Sequence, residues 1–301
     1  MEKRQILSRF ATVLSLGILF SLGLALATEP SLLSVEDARC RANLGKGVQR
    51  QMAVTAAQKA RCFKLAMRGK LESTADCHDP GTWVGTRMEA GAIAIDRSLS
   101  LSRKLAEKGC SDASSPDLLG YSLCPAPCEA PIGESYDDVV GCLGCVTASC
   151  LGDVVRSAYG SPRTLSFPEE KPVFRCQNVL GVAIRVYLRL VVRAQQRCQL
   201  MQDREKEAFL GADCGNLADP AHPFASTFQK ARERLFKLVD KCVSRYGVDI
   251  GSQLDTCGTD PETLAACLET VSDACAQAMF AANYPTPAIG AESVGAAAPA
   301  R

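Results

Sequence analysis

The sequence predicts an all-α protein of two duplicated, disulfide-stapled helical units, each an antiparallel helical hairpin followed by a third helix. Three observations predict it. The chain of 301 residues has 16 cysteines but only two histidines and one tryptophan, which is typical of an exported protein held by disulfides. The cysteines recur in the same order in two halves. Apolar residues repeat at helical spacing, and strand patterns are nearly absent.

Residues 1–27 have the pattern of a secretory signal peptide. Basic residues, Lys3 among them, precede an apolar stretch over 10–26, and the small residues Ala25 and Ala27 stand as at a cleavage site. We expect cleavage after Ala27 and a secreted or periplasmic localisation. The alternative is an uncleaved anchor, because an apolar stretch of about 17 residues is close to the shortest membrane span.

The mature chain is expected to be neutral and soluble. Cleavage removes three of the 34 basic residues and one of the 33 acidic residues, so 31 basic and 32 acidic residues remain. We expect an evenly mixed surface, which offers no electrostatic footprint for nucleic acid. No later apolar run is long and uncharged enough for a bilayer, so no membrane span is expected after signal cleavage.

Cysteine spacing divides the mature chain into two repeats. Cys40 and Cys62 are 22 residues apart, as are Cys176 and Cys198. Seven cysteines align in order between the halves. The aligned pairs are Cys40 and Cys176, Cys62 and Cys198, Cys77 and Cys214, Cys110 and Cys242, Cys124 and Cys257, Cys142 and Cys267, and Cys150 and Cys275. Cys128 and Cys145 belong to the first half only.

The predicted domains follow this alignment. The first repeat covers 34–158 and the second covers 173–281, with a proline-containing linker over 159–172. The segment 282–301 is rich in Pro, Gly and Ala, so we expect a disordered tail.

Apolar spacing predicts three helices in each repeat. Leu235, Leu238 and Cys242 step by three and four, which places the cysteine on a buried stripe. The β-branched cluster at 179–192 is the one strand candidate, and its arginines recur every four residues, as on a helix. The predicted helices cover 35–69, 83–109 and 136–158, then 173–207, 222–245 and 261–281.

Helix geometry restricts the disulfides. Cys40 and Cys62 lie about 33 Å apart on one predicted helix, whereas a disulfide needs Cα atoms within about 7 Å, so each must bond another element. An antiparallel partner helix meets them in reverse order, which predicts Cys62 with Cys77 and Cys40 with Cys110. The analogous bridges of the second repeat are Cys198 with Cys214 and Cys176 with Cys242.

The remaining cysteines are odd in number in each repeat. If all are oxidised, an odd number of bridges must cross between the repeats. Local pairing accounts for most of them: Cys124 and Cys128 with Cys142 and Cys145, in either connectivity, and Cys257 with Cys267. Cys150 and Cys275, which are equivalent positions, are then left to join the repeats across a pseudo-twofold interface.

Two cysteine motifs have other interpretations. Cys124, Cys128, Cys142 and Cys145 have the spacing of a four-thiolate zinc site, so a metal-binding protein is an alternative. Export into an oxidising compartment favours disulfides. Cys142 and Cys145 also form a C-x-x-C motif, but no strand precedes it, and Val146 stands where haem attachment needs His. We expect no metal and no cofactor.

Catalytic motifs are lacking in the sequence. Neither G-x-S-x-G nor H-E-x-x-H occurs, and two histidines leave little material for a Ser-His-Asp or Cys-His arrangement. His78 and His222 lie in corresponding interhelical loops, where we expect both to be exposed. We predict no catalytic residues and no enzyme, with a hydrolase of unrecognised site as a competing hypothesis.

Arginines recur every four residues on the very apolar helix at 173–207. They are Arg185, Arg189, Arg193 and Arg197. Such a stripe is typical of a solvated helix edge, and contact with an anion or a membrane surface is the other interpretation. The wide apolar face predicts packing against the other repeat. A lipid or hydrophobic-ligand binding protein is therefore a second alternative, and the partner, protein or apolar ligand, stays open.

Short segments around the cysteines carry a resemblance. They are Cys40-Arg41, Lys59-Ala60-Arg61-Cys62, Asp76-Cys77, Lys108-Gly109-Cys110, Gly120 before Cys124-Pro125, Asp138-Val139-Val140-Gly141-Cys142-Leu143-Gly144-Cys145 and Ala158-Tyr159-Gly160. This order resembles an uncharacterised cysteine-rich helical repeat of exported bacterial proteins, over nearly the whole mature chain. Thr270 stands where Cys145 aligns, so the second repeat matches less well. The resemblance implies a fold and a compartment, and the sequence as a whole favours a non-enzymatic structural or binding role.

Overall fold

Seven α-helices and two short 3-10 turns form the structure, a computed structural model that describes residues 33–254 and 256–287. Within these residues there is no β-strand, and a single isolated bridge joins Leu123 to Pro131. The all-α, disulfide-rich fold class is therefore confirmed. The signal peptide predicted over 1–27 lies outside the described residues.

The first half contributes three long helices: α1 (Val35–Met67), α2 (Glu89–Cys110) and α3 (Tyr136–Tyr159). Serine caps begin two of them. Ser34 accepts the backbone N–H of Asp37 at the start of α1, and a serine does the same for α3. Acidic residues in these first turns complement the helix dipole. A glycine with positive φ follows α3 and ends it.

The second half contributes α4 (Lys171–Gln202), α5 (Ala225–Ser244), the short α6 (Ile250–Gln253) and α7 (Pro261–Asn283). α7 has the strongest start signal, because Asp260 forms a capping box with the third residue of the helix and a proline occupies the first turn. The long helices of this half follow the same order as those of the first.

Two predicted helix ends differ from the structure by five residues or more. The predicted start at 83 is wrong: Trp83 lies in a 3-10 turn, fully buried, with its indole N–H donated to the carbonyl of Asp76 at 2.6 Å. The predicted end at 207 is also wrong. α4 ends at Gln202, and Glu205 has a φ of 55°, which a helix cannot contain.

The first residues assigned to the tail are folded. Ala282 and Asn283 are buried at the end of α7, and the hydroxyl of Tyr121 donates to the carbonyl of Asn283 at 2.6 Å. Gly120, with a φ of 89°, lies so close to the carbonyl of Thr286 that no side chain fits between them. Residues 288–301 lie outside the described residues.

α1 and α4 pack side by side and run antiparallel. The start of α1 meets the end of α4, where a guanidinium nitrogen of Arg41 is 3.6 Å from a carboxylate oxygen of Asp203. At the opposite end, Arg68 lies 4.8 Å over the ring of Phe174. α3 packs against α7, and one continuous apolar core extends through both halves. The linker over 159–172 contributes the buried side chain of Leu165 to this core.

α3 is long and apolar enough to cross a membrane by length and composition. The expectation that no segment after the signal peptide meets these criteria is therefore wrong. Half of the apolar window of α3 is buried inside the protein, and its cysteines bond to other elements. In this structure α3 is a core helix, and a core helix can meet the same criteria of length and hydropathy as a membrane span.

Candidate functional site

The two bridges of the first hairpin lie at its opposite ends. Cys40, in the second turn of α1, bonds Cys110 at the end of α2, and their Cα atoms are 4.5 Å apart. Cys62, near the end of α1, bonds Cys77 in the loop before α2. These are the partners that antiparallel geometry predicts, because a long helix can be held at both ends only by bonds to another element.

The second hairpin has the corresponding bridges. Cys176 bonds Cys242, joining the start of α4 to the end of α5. Cys198 bonds Cys214 in the following loop. Each bridge therefore occupies the place in its half that its aligned counterpart occupies in the other.

The cysteines of the third helices pair locally, and the structure decides the order that the sequence left open. Cys124 bonds Cys142, and Cys128 bonds Cys145. All four sulfurs therefore lie in S–S bonds, so the four thiolates that the zinc interpretation needs are not available. In the second half one bridge remains: Cys257 with Cys267.

A single bridge joins the halves. Cys150 on α3 bonds Cys275 on α7, across a sequence separation of 125 residues. No free cysteine remains in the described residues. These two cysteines are the pair left for each other by the sequence alignment, and their bond lies where α3 packs against α7.

His222 lies against one of the bridges, so the expectation that it is exposed is wrong. It is 7% exposed, and its Nε2 is 3.5 Å from Sγ of Cys198. Its Nδ1 accepts the backbone N–H of Phe224 at 3.0 Å. Burial lowers the pKa of His222, so the ring is neutral at pH 7. Because Nδ1 accepts, the ring proton is on Nε2 and the N–H points at the sulfur.

Cys198, Cys214 and His222 bring three potential metal-ligand atoms within 4.8 Å of one another. Two facts oppose a metal here. The sulfurs of Cys198 and Cys214 are bonded to each other. A nitrogen that binds a metal also needs a free lone pair, whereas Nε2 of His222 carries the ring proton. The arrangement fits a disulfide that accepts a hydrogen bond from histidine.

His78 does not repeat this arrangement. Its ring packs edge-on against Phe63, with centroids 5.3 Å apart, and burial lowers its pKa. Its carbonyl accepts a hydrogen bond from Nζ of Lys59 at 2.8 Å. Lys59 is 2% exposed, and desolvation lowers the pKa of its ammonium group while Asp76 opposes that shift. These contacts hold the loop before α2 against α1.

Two carboxylates, the buried one of Asp203 and the half-buried one of Asp273, take part in contacts between elements. Burial raises the pKa of Asp203, and Arg41 opposes the shift. Desolvation raises the pKa of Asp273 on α7 to about 6, although the hydroxyl of Tyr187 donates to it at 2.7 Å. The Asp203 contact joins the end of α4 to the start of α1, and the Asp273 contact joins α7 to α4.

A groove of about 250 Å³ lies between the middle of α1 and the middle of α4. Its lining is apolar except for two guanidinium groups: Met52, Ala53, Ala56, Val182, Arg185, Val186, Leu188 and Arg189. Arg185 is anchored, because its Nε donates to the carbonyl of Gly181 at 2.8 Å. An apolar wall with two cations beside it, one of them anchored, suits an amphiphile with an anionic end.

Charge is not evenly mixed on these two helices, contrary to the expectation from the net charge. No acidic residue occurs between Asp37 and Glu72, or between Glu170 and Asp203. Both intervals contain many basic residues. This signal is present in the sequence, but the whole-chain balance conceals it.

The chain was compared with known proteins, and no protein-family model, curated protein or solved structure matches it.

Proposed function

We propose that this is an exported, non-enzymatic protein in which two disulfide-stapled repeats form a single braced body with a structural or binding role. The observation that carries the proposal is the complete pairing of the described cysteines, including the bridge between Cys150 and Cys275. Eight disulfides form and persist in an oxidising compartment outside the cytoplasm. The sequence pattern of residues 1–27 supports the same compartment.

Duplication of an ancestral unit is part of this proposal. Aligned cysteines form equivalent bridges in the two halves, and the long helices follow in the same order. The contacts of the buried polar side chains support the structural role. Lys59 donates to a backbone carbonyl, His222 faces a disulfide sulfur and Arg41 pairs with Asp203, each between packed elements.

Expression with the native signal in an exporting bacterial host tests this function. We expect the exported protein to begin at Thr28, to be strongly helical by circular dichroism, and to have no titratable thiol after denaturation without reductant. The matched control is the chain from Thr28 onward made in a reducing cytoplasm, where the missing bridges should prevent stable folding. An exported protein that begins at Met1, or a stable reduced protein, would contradict the proposal.

A further inference from the structure

The exposed residues of α1 and α4 are nearly all basic. After its first turn, α1 exposes only five residues: Arg39, Lys46, Arg50, Ala53 and Arg61. After its first two residues, α4 exposes only five: Arg175, Val182, Arg189, Arg193 and Arg197. Steps of three, four, seven and eight residues place each set on a single stripe of its helix.

The two stripes flank one surface. Ala53 of α1 and Arg189 of α4 line the same groove at the middle of the helix pair. Near one end, Arg39 and Lys46 line a depression of about 520 Å³ together with Arg204, which follows α4. We call this combined surface the α1–α4 basic surface. A helix of this length spans roughly 48 Å, so the surface is long and narrow.

The protein does not neutralise this surface itself. In residues 33–254 and 256–287, none of its exposed arginines and lysines forms an ion pair. The carboxylates that line the depression are those of Asp203, which already pairs with Arg41, and of Glu205. At the other end, the positive charges of Arg185 and Arg68 act with burial to lower the pKa of Lys64. Clustered like charges repel, so an anionic partner stabilises them.

We propose that the α1–α4 basic surface docks on an anionic phospholipid membrane. Apolar side chains lie among the cations: Val182 is 40% exposed, and Val186 and Ala53 border the groove. Basic residues mixed with short apolar ones match a charged headgroup layer with acyl chains beneath it. Neither stripe exposes an aromatic ring on which unpaired bases could stack, so single-stranded nucleic acid fits less well.

This inference rests on the proposed binding role and does not depend on export. The groove adds a second contact, because a single acyl chain can enter beside Arg185 and Arg189 while its phosphate or carboxylate meets their guanidinium groups. A second copy of the protein is a poor partner, since two such surfaces repel each other.

Sedimentation with vesicles tests the proposal on the purified, oxidised protein. The probes are vesicles of phosphatidylcholine alone, and vesicles with about a third phosphatidylglycerol. We expect binding only to the anionic vesicles, weakened at high salt because exposed charges are screened. Equal binding to both vesicles, or none to either, would overturn the proposal.

Two triple variants locate the contact. R50Q/R189Q/R193Q removes three charges from the α1–α4 basic surface, and we expect the partition coefficient to fall about a hundredfold. The matched control, K230Q/R234Q/K237Q, removes three exposed charges from α5 and should bind within about threefold of the wild type. If both variants lose the same affinity, the effect is one of net charge and the surface has no special role.

A duplex DNA probe separates the competing partner. DNA binding that exceeds vesicle binding, and that R50Q/R189Q/R193Q alone abolishes, would replace the membrane with a nucleic acid. Because these measurements use folded protein, they are independent of export. If the protein binds anionic vesicles but begins at Met1, the docking surface is supported and the proposed export is contradicted. If it begins at Thr28 but does not bind anionic vesicles, export is supported and the docking surface is contradicted.

Discussion

At the scale of single residues, the Cys198–Cys214 disulfide is the one bridge in the described residues with a histidine nitrogen within hydrogen-bond distance of its sulfur. Nε2 faces Sγ of Cys198 while Nδ1 accepts the N–H of Phe224. A thiolate that attacks Cys214 releases Cys198 as the leaving thiolate, and a hydrogen bond to that sulfur makes its departure easier.

The prediction concerns the rate at which Cys198–Cys214 is reduced. His222→Asn keeps an oxygen that can accept the N–H of Phe224, but its shorter side chain has no donor at the position of Nε2, so we expect reduction by a dithiol to become several-fold slower. Differential alkylation and peptide mapping at pH 7 measure the rate. Cys62–Cys77 is the control in the same molecule and should be unaffected. An unchanged or faster rate at Cys198–Cys214 would contradict the role of the Nε2 proton.

Asp273 gives a prediction about stability and pH. Desolvation raises its pKa to about 6 in the folded protein, above the ordinary value near 3.8. The folded state therefore binds this proton more tightly than the unfolded chain does. The resulting stabilisation is complete below about pH 4 and is lost as the pH rises to about 6.

We expect Asp273→Asn to remove this dependence. Relative to the wild type, the variant should gain on the order of 1 kcal/mol of unfolding free energy between pH 4 and pH 7, discounted for the partial exposure of the carboxyl. Urea unfolding at the two pH values measures it. Asp153→Asn, at an exposed position of α3, controls for the loss of one negative charge. The same gain in both variants would show that burial is not the cause.

At the scale of elements, close contact between α3 and α4 depends on one glycine. A Cβ on Gly181 would collide with the ring and hydroxyl of Tyr159, which is buried at the end of α3 and stacks on Phe63 with centroids 4.9 Å apart. We expect Gly181→Ala to lower the unfolding free energy by about 1–3 kcal/mol through overpacking. Denaturant unfolding of the oxidised protein measures this change.

A glycine in α3 supplies the matched control. A Cβ on Gly141 would meet nothing within 4 Å, so Gly141→Ala should raise the unfolding free energy by up to about 1 kcal/mol through helix propensity. Opposite signs for the two substitutions are the expected result. Stabilisation by Gly181→Ala would mean that α3 and α4 are farther apart than described.

At the scale of the whole molecule, the bridge between Cys150 and Cys275 is the one covalent link between the halves besides the chain itself, among the described residues. We expect cleavage of the linker near Pro168 to leave the halves attached in denaturant until a reductant is added. In C150S/C275S they should separate without reduction, and the uncut variant should lose roughly 2–4 kcal/mol of stability.

The control for this experiment is C257S/C267S, which removes a bridge within one half. Its halves should stay joined after linker cleavage. Gel electrophoresis without reductant distinguishes the two variants. Separation of the cleaved wild-type protein in denaturant would show that no bridge crosses between the halves.

The sequence by itself determined the fold class and much of the cysteine arrangement. Helical periodicity is local, and a rigid helix keeps Cys40 and Cys62 too far apart to bond, so their partners follow from geometry. With all cysteines oxidised, the odd number left in each half then required a link between the halves. The acid-free intervals of α1 and α4 were also legible in the sequence, although whole-chain charge balance obscured them.

Only the tertiary structure decided which surfaces meet. Nothing local in the sequence places Arg41 beside Asp203, or His222 against Cys198, because these contacts depend on how loops fold back after α4. Glu205 turns the chain through a left-handed conformation that sequence periodicity does not predict. Likewise, two basic stripes become one surface only because apolar faces pack α1 against α4. Local spacing specifies each helix, whereas long-range burial selects its neighbours.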